Sequence, residues 1–442
     1  MKPQKVAPLL ALVALLGCDD SASAPALVPF SVPKNPYLAD STWPIFHRDT
    51  YAQHSSELPA PTGRHAITMD TVALPGLPIF VLFDPAGDIL VVVKGLGISR
   101  LCKVRRATLE NVACVDLSNG QTFGGAYGYV DAQGRAVIGT GNSLQRWRST
   151  ETTLELDASV DLSTALGSME TLAAVTVRYT GEIAFAGTDG TVGIVPADLA
   201  GPPIDVVHNP GETISNGITT DVDGGIYVVS DPYLRRYDLV AGKLVEGWKI
   251  PVEASSTTPR PGRLGTGSGT TPSLIMDDRI TITDDAESMN LMVARRGLDA
   301  PGERTVCKVP VFDGPATTDN AIVVSGTTLI VEQNLTGYGG VARFDLRDDG
   351  TCQRTWVSPV VGPSCVPTLS TATNLVYVYT YDESTDEWGL TGLDLRTGRT
   401  RFHFVAGSGF SFDNLYAAVT IGPDRKIYLG TIGGLRVFSE AP

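Results

Sequence analysis

Short runs of alternating apolar and polar residues follow one another along most of the chain, and pairs of runs are joined by turns rich in aspartate and glycine. Clear copies are Val130 to Gly139 and Thr220 to Val229. Alternation with a period of two predicts β-strands, and an Asp/Asn-Gly turn between two such runs predicts a β-hairpin. Segments with a helical period are scarce, so the pattern predicts an all-β protein.

The hairpin recurs at a regular interval. Its turns start near positions 84, 131, 180, 221, 277, 325, 373 and 422, a spacing of roughly 41 to 56 residues that matches a four-stranded propeller blade. One hairpin cannot bury both of its faces, whereas blades stacked in a ring bury them all and leave few exposed edges. We therefore predict a β-propeller with eight blades. Seven blades are the alternative, because the fifth to seventh copies are degenerate.

The N-terminus has the features of an export signal. Lys2 and Lys5 precede an apolar run, Val6 to Leu16, which at about eleven residues is too short to span a bilayer. The run ends in Gly17-Cys18, and Leu15 to Cys18 resembles the bacterial lipobox. That resemblance implies cleavage before Cys18, lipidation of its thiol, and stable anchoring by several acyl chains. An ordinary signal peptide that is cut a few residues later is the alternative.

The segment after Cys18 lacks a hydrophobic period and is rich in Ser, Ala and Pro from Ser21 to Lys34, which predicts a flexible tether. The predicted organisation is a signal peptide at 1–17, a lipid-anchored tether at 18–40 and one propeller domain at 41–442. We expect the protein to be exported and anchored to the inner or outer membrane of the cell envelope, on the periplasmic or external face.

The charge and composition of the chain limit the classes of partner that it is expected to bind. The formal net charge is −14, and an acidic protein repels phosphate backbones, so we expect no nucleic-acid binding. An apolar fraction of 43% is ample for one closed core, and we expect a monomer. The predicted partners are the membrane, through the N-terminal lipid, and an envelope protein or a small ligand.

Five cysteines remain beside Cys18. Cys102 and Cys114 bracket a polar turn as two strands of one hairpin would, and export permits a disulfide between them. Cys307 and Cys352 lie on strand-like segments about one repeat apart, and we predict a second bridge there. Cys365 is left over and is interpreted as a small buried apolar residue.

Several repeats end in a motif with an aspartate, a Thr-Gly turn and an aromatic residue, best seen from Leu393 to Phe402. This motif resembles the repeat of quinoprotein-type (PQQ-like) propellers, and Trp43-Pro44 with His47 to Asp49 resembles the segment that starts many of them. Other segments are similar to uncharacterised secreted bacterial propellers, a lipoprotein branch of the family. The resemblance implies the propeller fold and an envelope location, with no established activity.

Polar residues lie in the two sets of loops that open on one face of a propeller, where they would surround its central funnel. These loops precede each inner strand or follow each second strand, and their candidate ligand-binding residues are Glu170, Asn216, Asp231, Asp284, Asp285, Asn320, Glu332, Asn334 and Asn414. Oxygen-rich side chains suit Ca²⁺, a sugar or a quinone. The same residue types are also common in turns for structural reasons.

These observations predict a binding or scaffold protein with no assigned catalytic residue. Two enzymes that would use the funnel are the alternatives: a PQQ- and Ca²⁺-dependent dehydrogenase, and a metal-dependent lactonase with Glu170 as a metal ligand. Ca²⁺ is the first cofactor candidate and PQQ the second. His47 and His54 are assigned surface or packing roles, because neither lies in a metal-binding or nucleophile motif.

Overall fold

The computed structural model describes residues 26–28, 30–117, 127–276, 278–335 and 338–441, so the signal segment and Cys18 lie outside the described residues. In this part of the chain the fold is all-β, and its helical content is one 3₁₀ turn, Phe410–Phe412. No helix there has the length and apolar character needed to cross a membrane. Two short N-terminal strands come first, β1 (Ser55–Ser56) and β2 (Ile67–Val72).

The next strands form four sheets of four consecutive antiparallel strands, which we name blades 1 to 4. Their strands are, in blade 1, β3 (Leu77–Phe83), β4 (Ile89–Gly95), β5 (Ile98–Arg105) and β6 (Glu110–Asp116); in blade 2, β7 (Gly128–Val130), β8 (Arg135–Thr140), β9 (Ser143–Ser149) and β10 (Leu154–Asp161); in blade 3, β11 (Leu172–Val177), β12 (Ile183–Gly187), β13 (Thr191–Val195) and β14 (Asp205–His208); and in blade 4, β15 (Thr219–Thr220), β16 (Ile226–Val229), β17 (Tyr233–Val240) and β18 (Lys243–Pro251).

Four further sheets complete the ring, so the predicted eight-bladed propeller is confirmed and the seven-bladed alternative is excluded. The remaining strands are, in blade 5, β19 (Ser273–Ile275), β20 (Arg279–Thr283), β21 (Asn290–Arg295) and β22 (Thr305–Pro310); in blade 6, β23 (Val323–Ser325), β24 (Thr328–Glu332), β25 (Val341–Leu346) and β26 (Cys352–Ser358); in blade 7, β27 (Thr368–Ser370), β28 (Leu375–Asp382), β29 (Glu387–Asp394) and β30 (Thr400–Ser408); and in blade 8, β31 (Thr420–Ile421), β32 (Ile427–Thr431) and β33 (Gly434–Glu440).

Burial along the strands follows their position in a blade. The second strands are buried on both faces, as in β16, because each blade is covered by the blades before and after it. The fourth strands alternate between exposed and buried residues, as in β18, because they form the rim of the ring. This gradient explains why the apolar runs of the sequence are continuous near the axis and alternating at the rim.

The Asp-Gly turns join the first and second strands of the blades. In blade 2 the carboxylate of Asp131 accepts hydrogen bonds from the backbone N–H groups of Gln133 and Arg135, at 3.0 and 2.9 Å. Gly134 then takes a φ of 77°, which a glycine adopts without strain. Local chemistry of this kind fixes the hairpins independently of the ring, so the turn positions were readable from the sequence. We call the end of the ring that carries these turns the turn face, and the opposite end the funnel face.

The ring is closed by pairing a strand from the N-terminal part of the chain with the last strand. Strand β2 pairs antiparallel with β33, so that Ile67 lies opposite Glu440 and β2 forms the outer strand of blade 8. The Glu440 carboxylate also accepts a hydrogen bond from the backbone N–H of His65. With β2 in place, the outer edge of β33 has a partner strand.

The N-terminal segment closes the turn face. We name residues 30–62 the cap segment; it crosses the ring near the axis and hydrogen-bonds to the inner strands of successive blades. Its backbone oxygens at Thr50, Tyr51, Gln53 and His54 accept hydrogen bonds from blades 4, 5, 6 and 7 in turn. Strand β1 pairs parallel with β27 as a fifth strand of blade 7. Leu38, inside the predicted tether at 18–40, forms a β-bridge with Asp131, so the ordered contacts of this chain begin before residue 41.

Both predicted disulfides are present. Cys102–Cys114 joins β5 to β6 within blade 1, and Cys307–Cys352 joins the outer strands of blades 5 and 6. Cys365 is buried and unoxidised, and its sulfur accepts a hydrogen bond from the Tyr379 backbone N–H, in agreement with the packing role predicted for it. Two such bridges are typical of proteins that fold outside the cytoplasm.

Candidate functional site

The funnel is filled by the protein's own chain. The connection between β18 and β19, residues 252–272, is rich in Gly, Pro, Ser and Thr, and it descends into the funnel over its second half, where residues 267–272 are all buried. At Gly262, with a φ of 82°, a Cβ atom would lie 2.0 Å from the Asn334 backbone oxygen, so only glycine allows this close approach. The Tyr416 hydroxyl donates to the Gly262 backbone oxygen at 2.6 Å. We name residues 252–272 the funnel loop.

Arg263 of the funnel loop joins two of the acidic groups on blades 5 and 6. Its Nη1 donates to Asp285 Oδ1 at 2.7 Å and its Nε to Asp319 Oδ1 at 3.0 Å, and the guanidinium is fully buried. Arg260 donates a further bond to Asp285 Oδ1 at 3.0 Å. Burial raises the pKa of Asp319, and Arg263 opposes that shift. The arginine thus compensates two carboxylates that would otherwise be buried without a counter-charge.

Three of the predicted residues meet in blade 6. Asn334 Nδ2 donates to Glu332 Oε2 at 3.0 Å, and Asn320 Nδ2 donates both to Glu332 and to the backbone oxygen of Cys365. Asn334 Oδ1 accepts from the Asp319 backbone N–H at 2.9 Å, which links this cluster to the Arg263 contacts. Complete burial raises the pKa of Glu332 well above its usual range, although the two amides lower it.

Asp284 and Asp285 are adjacent in sequence but bind different groups. Asp284 accepts from Asn290 Nδ2 at 2.8 Å and pairs with Lys308 Nζ at 2.8 Å. Asp284 Oδ1 also accepts from the Asn290 backbone N–H at 2.7 Å, which orders the connection between β20 and β21. Asp284 therefore orders this connection, whereas Asp285 holds the funnel loop.

Glu170 and Asp231 lie in blades 3 and 4, apart from the blade 6 cluster. Burial acts to raise the pKa of Glu170, but hydrogen bonds from Gly167, Thr191 and Asp189 outweigh it and lower the pKa. Asp231 Oδ1 accepts from the Thr213 backbone N–H at 2.9 Å. Glu170 is the metal ligand of the lactonase alternative. Its carboxylate is already hydrogen-bonded to residues of its own blade and of the connection that leads into it.

Asn216 and Asn414 also make their hydrogen bonds outside the blade 6 cluster. Asn216 Oδ1 accepts from the Tyr127 hydroxyl at 3.0 Å. Asn414 Nδ2 donates to the backbone oxygens of Ser364 and Ala417, at 3.0 and 2.9 Å, and orders the connection that leads into β31. Of the nine predicted residues, the structure therefore brings Asp285, Asn320, Glu332 and Asn334 into one hydrogen-bonded network and leaves the others in separate contacts.

A histidine pair lies where the cap segment and the funnel loop meet, a feature that the sequence did not reveal. The ring centroids of His47 and His54 are 4.5 Å apart, and His47 Nε2 lies 3.1 Å from Thr271 Oγ1 of the funnel loop. Burial lowers the pKa of His54 to about 3, and burial together with His54 lowers the pKa of His47. Both rings are neutral at neutral pH, which agrees with a packing role and excludes a surface position.

The network also explains why Arg263 and Asp319 were missed. Both lie in segments without hydrophobic period, where composition predicts only a loop. One signal was present: Arg260 and Arg263 stand close together in a chain in which acidic residues outnumber basic ones. A buried arginine needs acidic partners, so such a pair in a glycine-rich loop indicates that the loop packs on carboxylates.

The carboxylates of the funnel do not fit the Ca²⁺ ion that the PQQ-like resemblance suggests. Ca²⁺ takes six to eight oxygen ligands. Here the oxygens of Asp285 and Asp319 contact Arg263, and those of Glu332 accept amide hydrogens. Among the described residues, no group of three or more His, Cys, Asp or Glu side chains is placed to hold a metal ion.

The outer part of the funnel face has a distinctive surface. Among the described residues of its loops, every exposed charged side chain is acidic: Asp189, Glu253, Glu287, Asp313, Glu383 and Asp386. Large apolar side chains project from the same loops, with Leu96, Met169, Phe410 and Leu264 exposed by 95, 89, 75 and 64%. The turn face instead mixes exposed acidic residues with arginines such as Arg396, Arg399 and Arg425.

Comparison with known proteins places the chain among propellers. No protein-family model matches it. An uncharacterised protein of Archaeoglobus fulgidus is 30% identical over an alignment of 460 residues, which covers 91% of this chain and 88% of that protein. The quinohemoprotein alcohol dehydrogenase of Comamonas testosteroni superposes with a TM-score of 0.62 at 13% identity, covering 90% of this chain and 80% of that one.

Two further solved structures agree. A quinohemoprotein alcohol dehydrogenase of Pseudomonas putida has a TM-score of 0.62 at 11% identity, covering 94% of this chain and 83% of that one. Sqt1 of Saccharomyces cerevisiae has a TM-score of 0.59 at 12% identity, covering 86% and 99%. Identities this low show a shared fold alone. The resemblance to quinoprotein-type propellers is therefore confirmed at the level of the fold.

Proposed function

This chain belongs to the family of the uncharacterised Archaeoglobus fulgidus protein, and we propose that it is a cell-envelope binding protein that docks a partner protein on its funnel face. The observation that carries the proposal is the combination, on one face, of exposed apolar side chains and exposed charges that are all acidic in the described loops. Large apolar side chains in contact with water are characteristic of interaction surfaces when they cluster.

Part of the apolar surface, which includes Leu264 and Phe410, lies on loops that touch one another. The funnel loop carries Leu264, and its Gly262 contacts both Tyr416 and the backbone of Asn334. Leu415, beside Tyr416, and Tyr338, shortly after Asn334, are exposed by 36 and 51%. Contacts between these loops support one continuous apolar surface rather than isolated residues.

The charges define the partner. A surface whose exposed charged groups are acidic attracts a protein segment that combines basic and apolar side chains. The same charges repel a second copy of this chain and a membrane surface made of anionic lipid. We infer a basic, partly apolar protein segment as the occupant of the funnel face.

The anchor would orient this face. Cys18, the predicted lipidation site, precedes Ala26, the first described residue, by eight residues, which reach at most roughly 27 Å when extended. The cap segment that follows is on the turn face. A lipid on Cys18 would hold the turn face towards the membrane and direct the funnel face outward, and the two disulfides support a location outside the cytoplasm.

The proposal is tested with labelled synthetic peptides and fluorescence anisotropy. The probe is a short amphipathic peptide of lysine and leucine, and its controls carry glutamate in place of lysine or serine in place of leucine. We expect the lysine–leucine peptide to bind best, and more weakly as salt is raised. The double variant Leu264→Ser/Phe410→Ser should weaken its binding at least fivefold.

The matched control variant changes two apolar residues of the turn face. Val240 and Leu298 are exposed by 56 and 48%, so Val240→Ser/Leu298→Ser removes similar apolar surface on the opposite side. We expect this variant to bind the peptide as the unmodified protein does. Equal losses in both double variants, or equal binding of the lysine and glutamate peptides, would contradict the proposal.

A further inference from the structure

The cap segment borders an open cavity, on the opposite face from the proposed docking surface. The cavity has a volume of about 540 Å³ and lies between two passes of the same chain, residues 27–28 with 30–44 and residues 48–57. Ser325 of blade 6 and Thr371 of blade 7 complete its wall. This volume falls within the range of small-molecule sites.

A fixed charge pair borders the cavity. Arg48 Nη1 lies 3.4 Å from Asp49 Oδ2, and Asp49 Oδ1 accepts hydrogen bonds from the backbone N–H groups of Tyr51 and Gln53, at 3.1 and 3.2 Å. Burial raises the pKa of Asp49 to about 6, and Arg48 opposes that shift. At neutral pH the pair therefore offers an acceptor and a cationic donor side by side, with no net charge.

The backbone beside the pair is held in an uncommon conformation. His47, Arg48, Ala52 and His54 have φ angles of 68, 78, 54 and 51°, which non-glycine residues rarely adopt. Each such residue costs roughly 1–2 kcal/mol, and clusters of them are typical of ligand-binding segments. The fold holds these four residues through the backbone contacts of the cap segment to blades 4 to 7.

Two hydroxyl groups of the wall have no partner within the protein. Ser41 Oγ and Thr42 Oγ1 are covered and accept or donate no hydrogen bond. A buried polar group without a partner costs roughly 1–3 kcal/mol, which a hydroxyl recovers by turning about χ1 towards a bound ligand. The lining also includes the apolar side chains of Phe30, Val32 and Pro44.

We propose that this cavity binds a neutral, polyhydroxylated ligand of mono- to disaccharide size. A donor and an acceptor side by side suit neighbouring hydroxyl groups, and the apolar side chains of the lining suit the C–H face of a sugar ring. The charges disfavour an anionic ligand, because Asp49 balances Arg48, Asp40 balances Lys34 at 2.9 Å, and Glu57 adds a third carboxylate to the lining. The proposal is independent of the docking surface, which lies across the ring.

Titration calorimetry with named sugars tests the site. The probes are glucose, N-acetylglucosamine, cellobiose and sucrose, with inorganic phosphate and choline as charged controls. We expect at least one sugar to bind and neither ion to do so. Hydrogen exchange of residues 27–57 supplies a second readout, in which the bound sugar should slow exchange in this segment more than in the blades, as general stabilisation by sugars would not.

Two variants assign the binding to this cavity. Asp49→Asn keeps an oxygen for the Tyr51 and Gln53 contacts but removes the charge beside Arg48, and we expect at least a tenfold weaker sugar affinity. Thr42→Val should weaken it less. The matched controls are Asp84→Asn, at a turn aspartate, and Thr176→Val, at another buried hydroxyl without a partner.

The controls should bind sugar as the unmodified protein does. Absence of binding to all four sugars, preferential binding of phosphate, or equal losses in Asp49→Asn and Asp84→Asn would each overturn the proposal. If Asp49→Asn fails to fold, hydrogen exchange in the unmodified protein still decides it, because protection confined to other segments would contradict a site between residues 27 and 57.

Discussion

The two ends of the propeller axis are both closed by the protein's own chain, but by different physical means. At the turn face the cap segment bonds through its backbone: the oxygens of Thr50, Tyr51, Gln53 and His54 accept hydrogen bonds from four blades. At the funnel face the funnel loop is held by side chains, with Arg263 between Asp285 and Asp319. Backbone contacts tolerate changes of side chain, whereas a buried charged contact depends on each member.

The largest expected effect is therefore at the funnel end. Arg263→Ala leaves Asp285 and Asp319 buried beside a cavity, with Arg260 as the remaining cation at Asp285, and we expect a loss of about 3–5 kcal/mol in the free energy of unfolding. Urea denaturation measures it. Arg263→Leu combined with Asp285→Asn and Asp319→Asn should recover much of the loss. A loss below about 1 kcal/mol in Arg263→Ala would remove the contrast between the two ends.

Removal of the disulfide between blades 5 and 6 should cause the next largest loss in the free energy of unfolding. Cys307–Cys352 joins blades 5 and 6, whose loops carry Asp285 and Asp319, and it closes a longer segment than Cys102–Cys114, 45 residues against 12. Loop entropy predicts losses of about 4 and about 3 kcal/mol on removal. Denaturation of Cys307→Ser/Cys352→Ser and Cys102→Ser/Cys114→Ser compares them. The reverse order of stability would show that strand pairing, not loop length, controls these bridges.

A buried histidine at the turn end and a buried glutamate at the funnel end should also respond to pH with opposite signs. At the turn end the folded state keeps His54 neutral down to about pH 3, whereas the unfolded chain takes up a proton below about pH 6.5. Stability contributed by neutral His54 is thus complete above that value and is lost as the pH falls, by about 1.4 kcal/mol per pH unit. Denaturation between pH 7 and 5 should show a smaller loss for His54→Gln than for the unmodified protein.

At the funnel end the sign is reversed. The pKa of Glu332 is raised by burial, so the unfolded state releases a proton above about pH 4.3 while the folded state retains it. Stability falls as the pH rises above that value until the folded group also ionises. Glu332→Gln should therefore gain stability relative to the unmodified protein on going from pH 4.5 to 7. A constant difference across this range would mean that Asn320 and Asn334 keep Glu332 ionised.

The smallest effect should come from Arg260, which also contacts Asp285 but is partly exposed. Because solvent screens its charge and Arg263 remains, we expect Arg260→Ala to cost about 1 kcal/mol. Urea denaturation of Arg260→Ala and Arg263→Ala under the same conditions compares their free energies of unfolding. Equal losses in the two arginine variants would contradict this expectation. They would mean that both arginines stabilise the funnel loop equally, whether or not the guanidinium is buried.

The sequence predicted the features that depend on local chemistry. Asp131 and Asp221 accept backbone hydrogen bonds in their own turns, so each hairpin was visible without knowledge of the ring, and the blade number followed from the repeats. The cysteine pairs were visible for the same reason, because one spans a hairpin and the other spans one repeat. Local interactions are readable from a single sequence because their partners are close in it.

The funnel could not be predicted to the same extent. The loops that carry the nine candidate residues were placed on the correct face, but their partners come from distant segments: Arg263 meets Asp319 across 56 residues, and His47 meets Thr271 across 224. A glycine- and serine-rich loop gives no period from which its path can be read. The assignment of the nine residues to a ligand remains a prediction.

The pairing of β2 with β33 sets the order of events during biogenesis. An exported chain emerges from its N-terminus, so the cap segment and β2 are delivered before any blade with which they pair. Blade 8 cannot be completed until the last strand has been made, so the closure of the ring depends on a contact of very long sequence separation. Until then β2 lacks its partner strand, and its edge is open to pairing with other chains.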